Sequence, residues 1–293
     1  MLYPPSNTLA NLTAPMRTRT RSPRRPFAAL ALAGICCLGL AAVAAEEVTK
    51  ENDTTGYSDG RYFLPAWTAN FDFDRGGFTR TWRISDDGEE IEYLRVELEQ
   101  TKTQGFVGFD AGVGRGHAAG SRVAEMAADE ATLDKGVGYT FAADMKPLAD
   151  DDFWIQGPKT VISSTPDWVT LVGEHECYIV DTASHDMAWI VEEYDLEHVA
   201  SDTYDVDGEP VTYHHHVRDL DSPDGVIHQV FSFRDGWQTR GFAPANRIMA
   251  DWMRHDIVPG DSYNLGWKVN VETDGAFAKG SHFEWTDLEL PDN

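Results

Sequence analysis

The feature that most limits the fold of this chain is a series of short segments in which apolar and polar residues alternate. Gly, Asp, Asn and Pro separate these segments, and this pattern is typical of antiparallel strands with one buried face. The clearest segments are residues 62–64, 71–73, 78–82, 139–141, 169–172, 177–180, 226–233 and 263–271. Many short strands without an internal repeat predict an all-β fold: a β-jelly-roll sandwich whose curved face forms a groove.

One segment departs from the two-residue period. Residues 244–255 place Ile248, Met249 and Trp252 on one face of a helix, and Pro259 with Gly260 follows as a stop signal. The pattern predicts one α-helix packed against a sheet. Residues 121–133 show a similar period over a shorter stretch and predict a second, short helix.

The first 45 residues have the composition of an export signal. Five arginines and no acidic residue precede an apolar run, residues 27–45, that ends in small residues. A permanent membrane anchor is the alternative, but the small residues before Glu46 favour cleavage near Ala44 and Ala45. Met16 is a possible true start. The motif SPRRPF at residues 22–27 resembles a twin-arginine signal, and the export route stays open.

We therefore expect a secreted protein, extracellular or periplasmic, with three parts. Residues 1–45 form the signal peptide, residues 46–60 a polar leader, and residues 61–293 one jelly-roll domain. Cys36 and Cys37 lie in the signal, so Cys177 is left without a partner for an intramolecular disulfide.

The charge of the chain excludes several classes of partner. It carries 24 Lys and Arg against 49 Asp and Glu, and removing the signal leaves 19 against 49, a net charge of 19 − 49 = −30. Such a field repels nucleic acid, anionic membranes and polyanionic substrates. We expect a monomer that is free of the membrane after cleavage.

Two glutamates are candidates for chemistry on the groove. Alternation in residues 176–181 turns Cys177 towards the core and Glu176 towards the groove. Glu272 follows an apolar-rich strand and shares a face with Asn270. Retaining glycoside hydrolysis needs two such carboxyl groups about 5–5.5 Å apart. Two unrelated glutamates on the outer surface are an equally good explanation of the pattern alone.

A family resemblance favours the explanation in which Glu176 and Glu272 form a catalytic pair. The stretch ECYIVD at residues 176–181 resembles the Glu-Tyr-Tyr-Val-Val-Asp strand of the family 11 endo-1,4-β-xylanases. Further segments resemble the family in the same order: AWT (66–68), GGFTRTW (76–82), VTLVG (169–173), QVFSFR (229–234), ADW (250–252) and VNVE (269–272). The resemblance is best over residues 169–290.

This resemblance implies a secreted endo-glycosidase that hydrolyses β-1,4-linked xylan by double displacement. Glu176 corresponds to the nucleophile and Glu272 to the acid/base. Substrate contacts are implied for Tyr178, Gln229 on the groove floor, Trp67 as a stacking platform, Asn270, and Tyr213 and Pro223 in a thumb hairpin over residues 213–229.

Other functions remain open. A noncatalytic carbohydrate-binding jelly roll would use Trp67, Trp154 and Trp168, and a jelly-roll polysaccharide lyase would use His228 with a tyrosine. The triplet at residues 214–216 is a weak candidate for a metal site, because neighbouring strand residues point to opposite faces and no third ligand is evident. We expect no metal and no cofactor.

Overall fold

The computed structural model describes the chain from residue 47 to residue 291 with short gaps. The described ranges are residues 47–54, 57–58, 62–85, 90–101, 107–115, 120–167, 172–222 and 225–291. The predicted signal peptide at residues 1–45, Trp168 and Pro223 lie outside them. Within the described ranges, no helix is long and apolar enough to cross a bilayer.

Strands dominate these ranges. In chain order they are β1 (Glu47–Glu51), β2 (Tyr57–Ser58), β3 (Tyr62–Leu64), β4 (Ala66–Ala69), β5 (Gly77–Ile84), β6 (Ile91–Gln100), β7 (Gly108–Arg115), β8 (Ser121–Arg122), β9 (Val137–Asp144), β10 (Phe153–Ser163), β11 (His175–Val180), β12 (Thr182–Ala183), β13 (Glu197–Val206), β14 (Glu209–Ser222), β15 (Gly225–Arg234), β16 (Arg240–Ala243), β17 (Tyr263–Asn264), β18 (Lys268–Asp274) and β19 (Phe277–Glu289). The helices are α1 (Val123–Ala128), α2 (Glu130–Leu133), α3 (Met187–Glu193) and α4 (Ala245–Arg254).

The strands form two sheets that share one apolar core. The outer sheet has the order β1-β5-β6-β19-β9-β16. The groove sheet runs β13-β14-β15-β11-β10-β18-β7-β3-β2, with β4, β8, β12 and β17 attached at its margins. Trp82 and Phe283 from the outer sheet and Phe109 and Val269 from the groove sheet are buried in the same core. We call the side of the groove sheet that faces away from the outer sheet the groove face.

The all-β jelly-roll class predicted from the sequence is confirmed. The predicted helix is α4, and the short helix expected over residues 121–133 is divided into α1 and α2. Helix α3 was not predicted. The segment at residues 71–73, predicted as a strand, is irregular and leads into a turn at residues 73–75, which is closed where the backbone N–H of Arg75 donates to the carbonyl of Asp72 at 3.0 Å. The predicted strand at residues 169–172 falls outside the described ranges except for Val172, which lies in a turn.

The outer sheet starts before the predicted domain boundary. Strand β1 pairs with β5 from Glu47↔Arg83 to Glu51↔Thr79, and β2 pairs with β3. Residues 46–60, which we expected to be a polar leader, therefore contribute strands to both sheets.

Helix α4 is fixed to the core by indole hydrogen bonds as well as by apolar contact. The indole N–H of Trp252 donates to Ser232 Oγ at 2.8 Å, and that of Trp267 donates to Asn246 Oδ1 at 2.8 Å. Both indoles are buried, so each bond satisfies a donor that has no access to water. The apolar face that predicted the helix is the face that is buried.

Tyr213 corrects one expectation drawn from the resemblance. It pairs with Arg234 in the β14–β15 hairpin, which turns its side chain into the core and away from the groove face. Its side chain is fully buried, and its hydroxyl donates to Asp181 Oδ1 at 2.7 Å. Tyr139 donates to the other oxygen of Asp181. Tyr213 is therefore a core residue with no surface for substrate.

The exchange Tyr213→Phe tests this role. It removes one hydrogen bond to a buried carboxyl group, so we expect the free energy of unfolding to fall by about 1–3 kcal/mol. Urea denaturation measures the change. The control Tyr93→Phe removes an exposed hydrogen bond to Glu47 on the outer sheet, where water can replace the partner, so it should lower the free energy of unfolding by less, about 0.5 kcal/mol. Weaker carbohydrate binding by Tyr213→Phe at unchanged stability would contradict the core role.

Candidate active site

Glu176 and Glu272 meet at one ammonium group on the groove face. Lys159 Nζ lies 2.7 Å from Glu176 Oε1 and 3.1 Å from Glu272 Oε2. The two glutamates stand on β11 and β18, on either side of β10, which carries Lys159. The fold therefore brings together two side chains that are far apart in the sequence.

The shared ammonium limits the separation of the two carboxyl groups. The two oxygens that contact Lys159 are at most about 5.8 Å apart, because no separation can exceed the combined length of the two contacts. Retaining glycosidases place their two carboxyl groups about 5–5.5 Å apart, whereas inverting enzymes need about 6.5–9.5 Å. An upper limit of about 5.8 Å between these two oxygens is compatible with the retaining arrangement.

A third carboxyl group and a second ammonium complete the ion-pair network. Lys159 Nζ donates to Asp110 Oδ2 at 2.7 Å, and Lys268 Nζ donates to Asp110 Oδ1 at 3.0 Å. Asp110 pairs with Glu272 across β7 and β18, so the two residues point to the same face. The three acceptors of Lys159 are thus three different carboxylates.

The pKa values of these groups diverge for a physical reason. Burial would raise the pKa of Asp110, but the two adjacent ammonium groups lower it to about 2. Burial opposes ionisation of Glu176 too, yet Lys159 and the hydrogen bond from Gln229 lower its pKa overall. For Glu272, burial and the charges of Glu176 and Asp110 outweigh Lys159 and raise the pKa.

Charge balance is consistent with these shifts. Lys159 and Lys268 supply two ammonium groups to a network of three buried carboxyl groups. Ionisation of all three would leave one negative charge without an ammonium partner in this network, which agrees with the raised pKa of Glu272. One glutamate with a lowered pKa beside one with a raised pKa is the arrangement that acid-assisted nucleophilic attack requires.

Tyr178 and Gln229 hold the two glutamates in place. The hydroxyl of Tyr178 donates to Glu272 Oε2 at 2.9 Å, and the amide of Gln229 donates to Glu176 Oε2 at 2.7 Å. Both residues are 3% exposed. Phe231 stacks on Tyr178 with ring centroids 4.6 Å apart. The predicted contacts of both side chains with substrate stay predictions, and in the structure their polar groups are directed at the two carboxyl groups.

Two further predicted residues lie on the same face. Trp67 is partly exposed and pairs with Asp110 across β4 and β7, which places its indole on the side of the carboxyl groups. Asn270 is 3% exposed, and its Oδ1 has no hydrogen-bond donor among the described residues. Trp67 has the exposure that a stacking platform for a sugar needs, and Asn270 offers an acceptor in the floor. Pro223 lies outside the described ranges.

Sequence reasoning missed the central cation. Lys159 is the single charged residue in β10, an eleven-residue strand whose other members are apolar or neutral. A lone lysine in a buried strand is a signal, since lysine is rarely buried without a partner. Asp110 was missed in the same way, within the buried strand β7.

Comparison with known proteins identifies the fold. No protein-family model matches the chain, and no curated protein matches it. Among solved structures, the family 11 xylanase from Neocallimastix patriciarum is similar with a TM-score of 0.58 and 13% identity, covering 85% of this chain and 100% of that one. Wild-type ENZbleach xylanase is similar with a TM-score of 0.56 and 17% identity, covering 85% and 88%.

A mutant of ENZbleach xylanase gives a TM-score of 0.59 at 16% identity, covering 84% of this chain and 86% of that one. At this level of identity the likeness concerns the course of the backbone. The chain has a jelly-roll fold of the xylanase type, and the two glutamates of the groove face are its candidate catalytic residues.

The low pKa of Asp110 makes stability depend on pH in a defined window. A folded-state pKa of about 2, below the ordinary 3.8, means that ionised Asp110 stabilises the fold above about pH 4. That contribution, about 2 kcal/mol, is lost as the pH falls through 2. Urea denaturation should show that the difference in the free energy of unfolding between the wild type and Asp110→Asn becomes smaller by this amount between pH 4 and pH 2. For the exposed control Glu97→Gln, the difference from the wild type should not change with pH in this way. If the free energies of unfolding of the wild type and Asp110→Asn run parallel over this pH range, the low pKa of Asp110 is wrong.

Proposed function

We propose that this protein is a retaining glycoside hydrolase that cleaves a neutral β-1,4-linked polysaccharide of the xylan type. One observation carries the proposal: Glu176 and Glu272 share Lys159 at a spacing that suits double displacement. The xylanase-type fold and the position of Trp67 support it. The negative charge of the chain favours a neutral glycan over a uronate polymer. Export through the signal peptide remains part of the proposal.

The chemistry divides between the two glutamates. Glu176 attacks the anomeric carbon while Glu272 gives its proton to the glycosidic oxygen, and the bond between that carbon and oxygen breaks. Glu272, now ionised, removes a proton from water, and the water oxygen displaces Glu176 from the anomeric carbon. Gln229 and Lys159 hold the carboxylate of Glu176 through separate oxygens, which fixes the direction of attack.

A noncatalytic carbohydrate-binding protein is the second candidate. The observation in its favour is that Lys159 forms ion pairs with both glutamates at once, an arrangement that also stabilises a fold without chemistry. In such a protein the glutamates would accept hydrogen bonds from sugar hydroxyls. The two candidates can be separated by removing one carboxyl group: in the enzyme hydrolysis is lost while glycan binding persists, whereas the binding protein has no hydrolysis to lose.

The structure disfavours the polysaccharide lyase. His228 pairs with His175, which places it on the side of the sheet opposite Glu176. Its Nδ1 lies 2.7 Å from Asp219 Oδ1, and its ring stacks on His175. His228 therefore does not lie on the groove face, where a lyase would need it as a base beside a tyrosine acid.

Conservative amide variants separate the hydrolase from the binding protein. Glu176→Gln removes the nucleophile, so release of reducing ends from xylan, β-glucan and mannan should fall to background while binding of the glycan persists. The exposed Glu97→Gln should retain full activity. Equal activity of Glu176→Gln and wild type, or wild-type binding with no release from any glycan at low or high salt, would contradict the hydrolase.

The second glutamate has a different signature. Glu272→Gln should lower the rate on polysaccharide by about 10²–10⁴-fold, because the leaving oxygen loses its general acid. An aryl glycoside with an acidic phenol needs no protonation, so its rate of phenol release in the first step should be reduced far less. Equal loss on both substrates would contradict the acid role of Glu272.

A further inference from the structure

Lys159 contacts both candidate catalytic residues through the same atom. Its Nζ lies 2.7 Å from Glu176 Oε1 and 3.1 Å from Glu272 Oε2, and its side chain is 7% exposed. One ammonium group therefore neutralises either glutamate from a single position. Because water has little access to these contacts, a change of charge on one glutamate is felt by the ammonium and by the other glutamate.

Strand pairing and a third carboxylate fix the position of the ammonium. Lys159 pairs with Tyr178 of β11 and with Lys268 of β18, so it stands between the two strands that carry the glutamates. Its Nζ also donates to Asp110 Oδ2 at 2.7 Å and lies 4.4 Å from the ring centroid of Tyr178. Asp110 and the tyrosine ring thus hold the ammonium in place independently of the charge on either glutamate.

The backbone just before Lys159 contains a β-bulge. Strand β10 pairs with β11 from Lys159 onwards, whereas Gln156 pairs with β12 one residue out of register. Gly157 and Pro158 fill the interval. A Cβ at Gly157, where φ is 155°, would lie 1.9 Å from the carbonyl oxygen of Ile179, and proline has no N–H to donate to the ladder. Lys159 therefore follows a bulge, a feature that is common beside active sites.

Double displacement moves negative charge from one glutamate to the other. In the first step the carboxylate of Glu176 becomes an ester of the anomeric carbon, and Glu272 becomes a carboxylate as its proton goes to the leaving oxygen. In the second step Glu272 takes a proton from water, and the water oxygen displaces Glu176, which becomes a carboxylate again. The total charge of the pair is the same before and after the first step, but it has changed residue.

We propose that Lys159 is a positioning residue that acts as the counter-ion in both steps, first for the carboxylate of Glu176 and then for the carboxylate of Glu272 in the glycosyl-enzyme. This inference rests on the hydrolase function proposed above and adds a residue that acts through the two glutamates. Since Nζ already contacts both side chains, the charge passes from one side of the ammonium to the other and no buried cation has to move.

The charged and titratable groups around Lys159 belong to three strands. They are Asp110 of β7, Glu176 and Tyr178 of β11, and Lys268 and Glu272 of β18. Among the described residues, the ammonium of Lys268 forms ion pairs with Asp110 alone. Lys159 lowers the pKa of both glutamates, so its removal should raise both pKa values.

The pH dependence of two kinetic constants tests the proposal in Lys159→Met. Dinitrophenyl β-xylobioside releases its phenol without protonation, so the second step limits kcat, whereas kcat/KM reports the free enzyme. Without the ammonium, Glu176 of the free enzyme and Glu272 of the glycosyl-enzyme both keep a proton to higher pH. The acid limbs of kcat/KM and of kcat should therefore both move up by at least about one pH unit. A shift in kcat/KM alone would confine Lys159 to the nucleophile and overturn the shared role.

Accumulation of the glycosyl-enzyme provides a second measurement on Lys159→Met. Below its acid limb, kcat should fall by at least about tenfold together with KM, and a burst of about one phenol per active site should precede the steady state. Azide attacks the glycosyl-enzyme without a general base, so it should raise the turnover of this variant and yield xylobiosyl azide. An unchanged KM and no response to azide would show a purely structural role and overturn the proposal.

Two further variants separate the charge from its position. Lys159→Arg keeps a cation between the glutamates, so both acid limbs should return towards the wild-type pH. Lys268→Met removes another buried ammonium, which contacts Asp110 and neither glutamate, so the acid limb of kcat should move less than in Lys159→Met. Equal shifts in the two methionine variants would assign the effect to the total charge of the groove and refute the role of Lys159.

A trapped intermediate of the wild-type protein decides the question if the variants fail to fold. In a crystal structure with a 2-fluoro-xylobiosyl group on Glu176, Lys159 Nζ should lie within about 3.2 Å of a Glu272 oxygen. A separation above about 4 Å would overturn the shared role, while the adduct itself would uphold the hydrolase. If the wild type hydrolyses neither the aryl glycoside nor xylan, β-glucan or mannan, the hydrolase and this proposal both fall.

Discussion

Three buried carboxyl groups within reach of one ammonium are the constraint on which the groove face depends. Asp110, Glu176 and Glu272 would repel one another at these distances if Lys159 were absent. Burial raises the cost of each uncompensated charge, so the two lysines and the raised pKa of Glu272 are linked. A change in one of these groups alters the ionisation of the others.

Period-two alternation explains why some of this arrangement was accessible from the sequence. It placed Cys177 in the core and Glu176 on the opposite face because successive strand residues point to opposite sides. It does not report which strands become neighbours. Lys159 and Asp110 acquire their role only when β10 lies between β11 and β18 and when β7 pairs with β18. The two pairings of β18 join segments that are remote in the sequence.

The misplaced side chain of Tyr213 and the missed helix α3 have separate causes. Tyr213 was placed by resemblance to a thumb, but the register of the β14–β15 hairpin, in which Ser222 faces Gly225, sets Tyr213 opposite Arg234 and therefore inside. Helix α3 was missed because it has seven residues, of which Trp189, Ile190 and Val191 suit a strand equally well. Asp186 was the available clue, since it precedes the helix as an N-cap.

The alignment of β11 with β15 is parallel, and it affects how the molecule folds. A parallel pair needs a long crossover, and here the crossover contains α3, β13 and β14. Glu176 and Gln229, 53 positions apart, face each other only after this crossover has been laid down. Closing so large a loop is entropically slow, whereas the β14–β15 hairpin forms locally. From this topology we expect the site to form late in folding, after the β14–β15 hairpin has found its register.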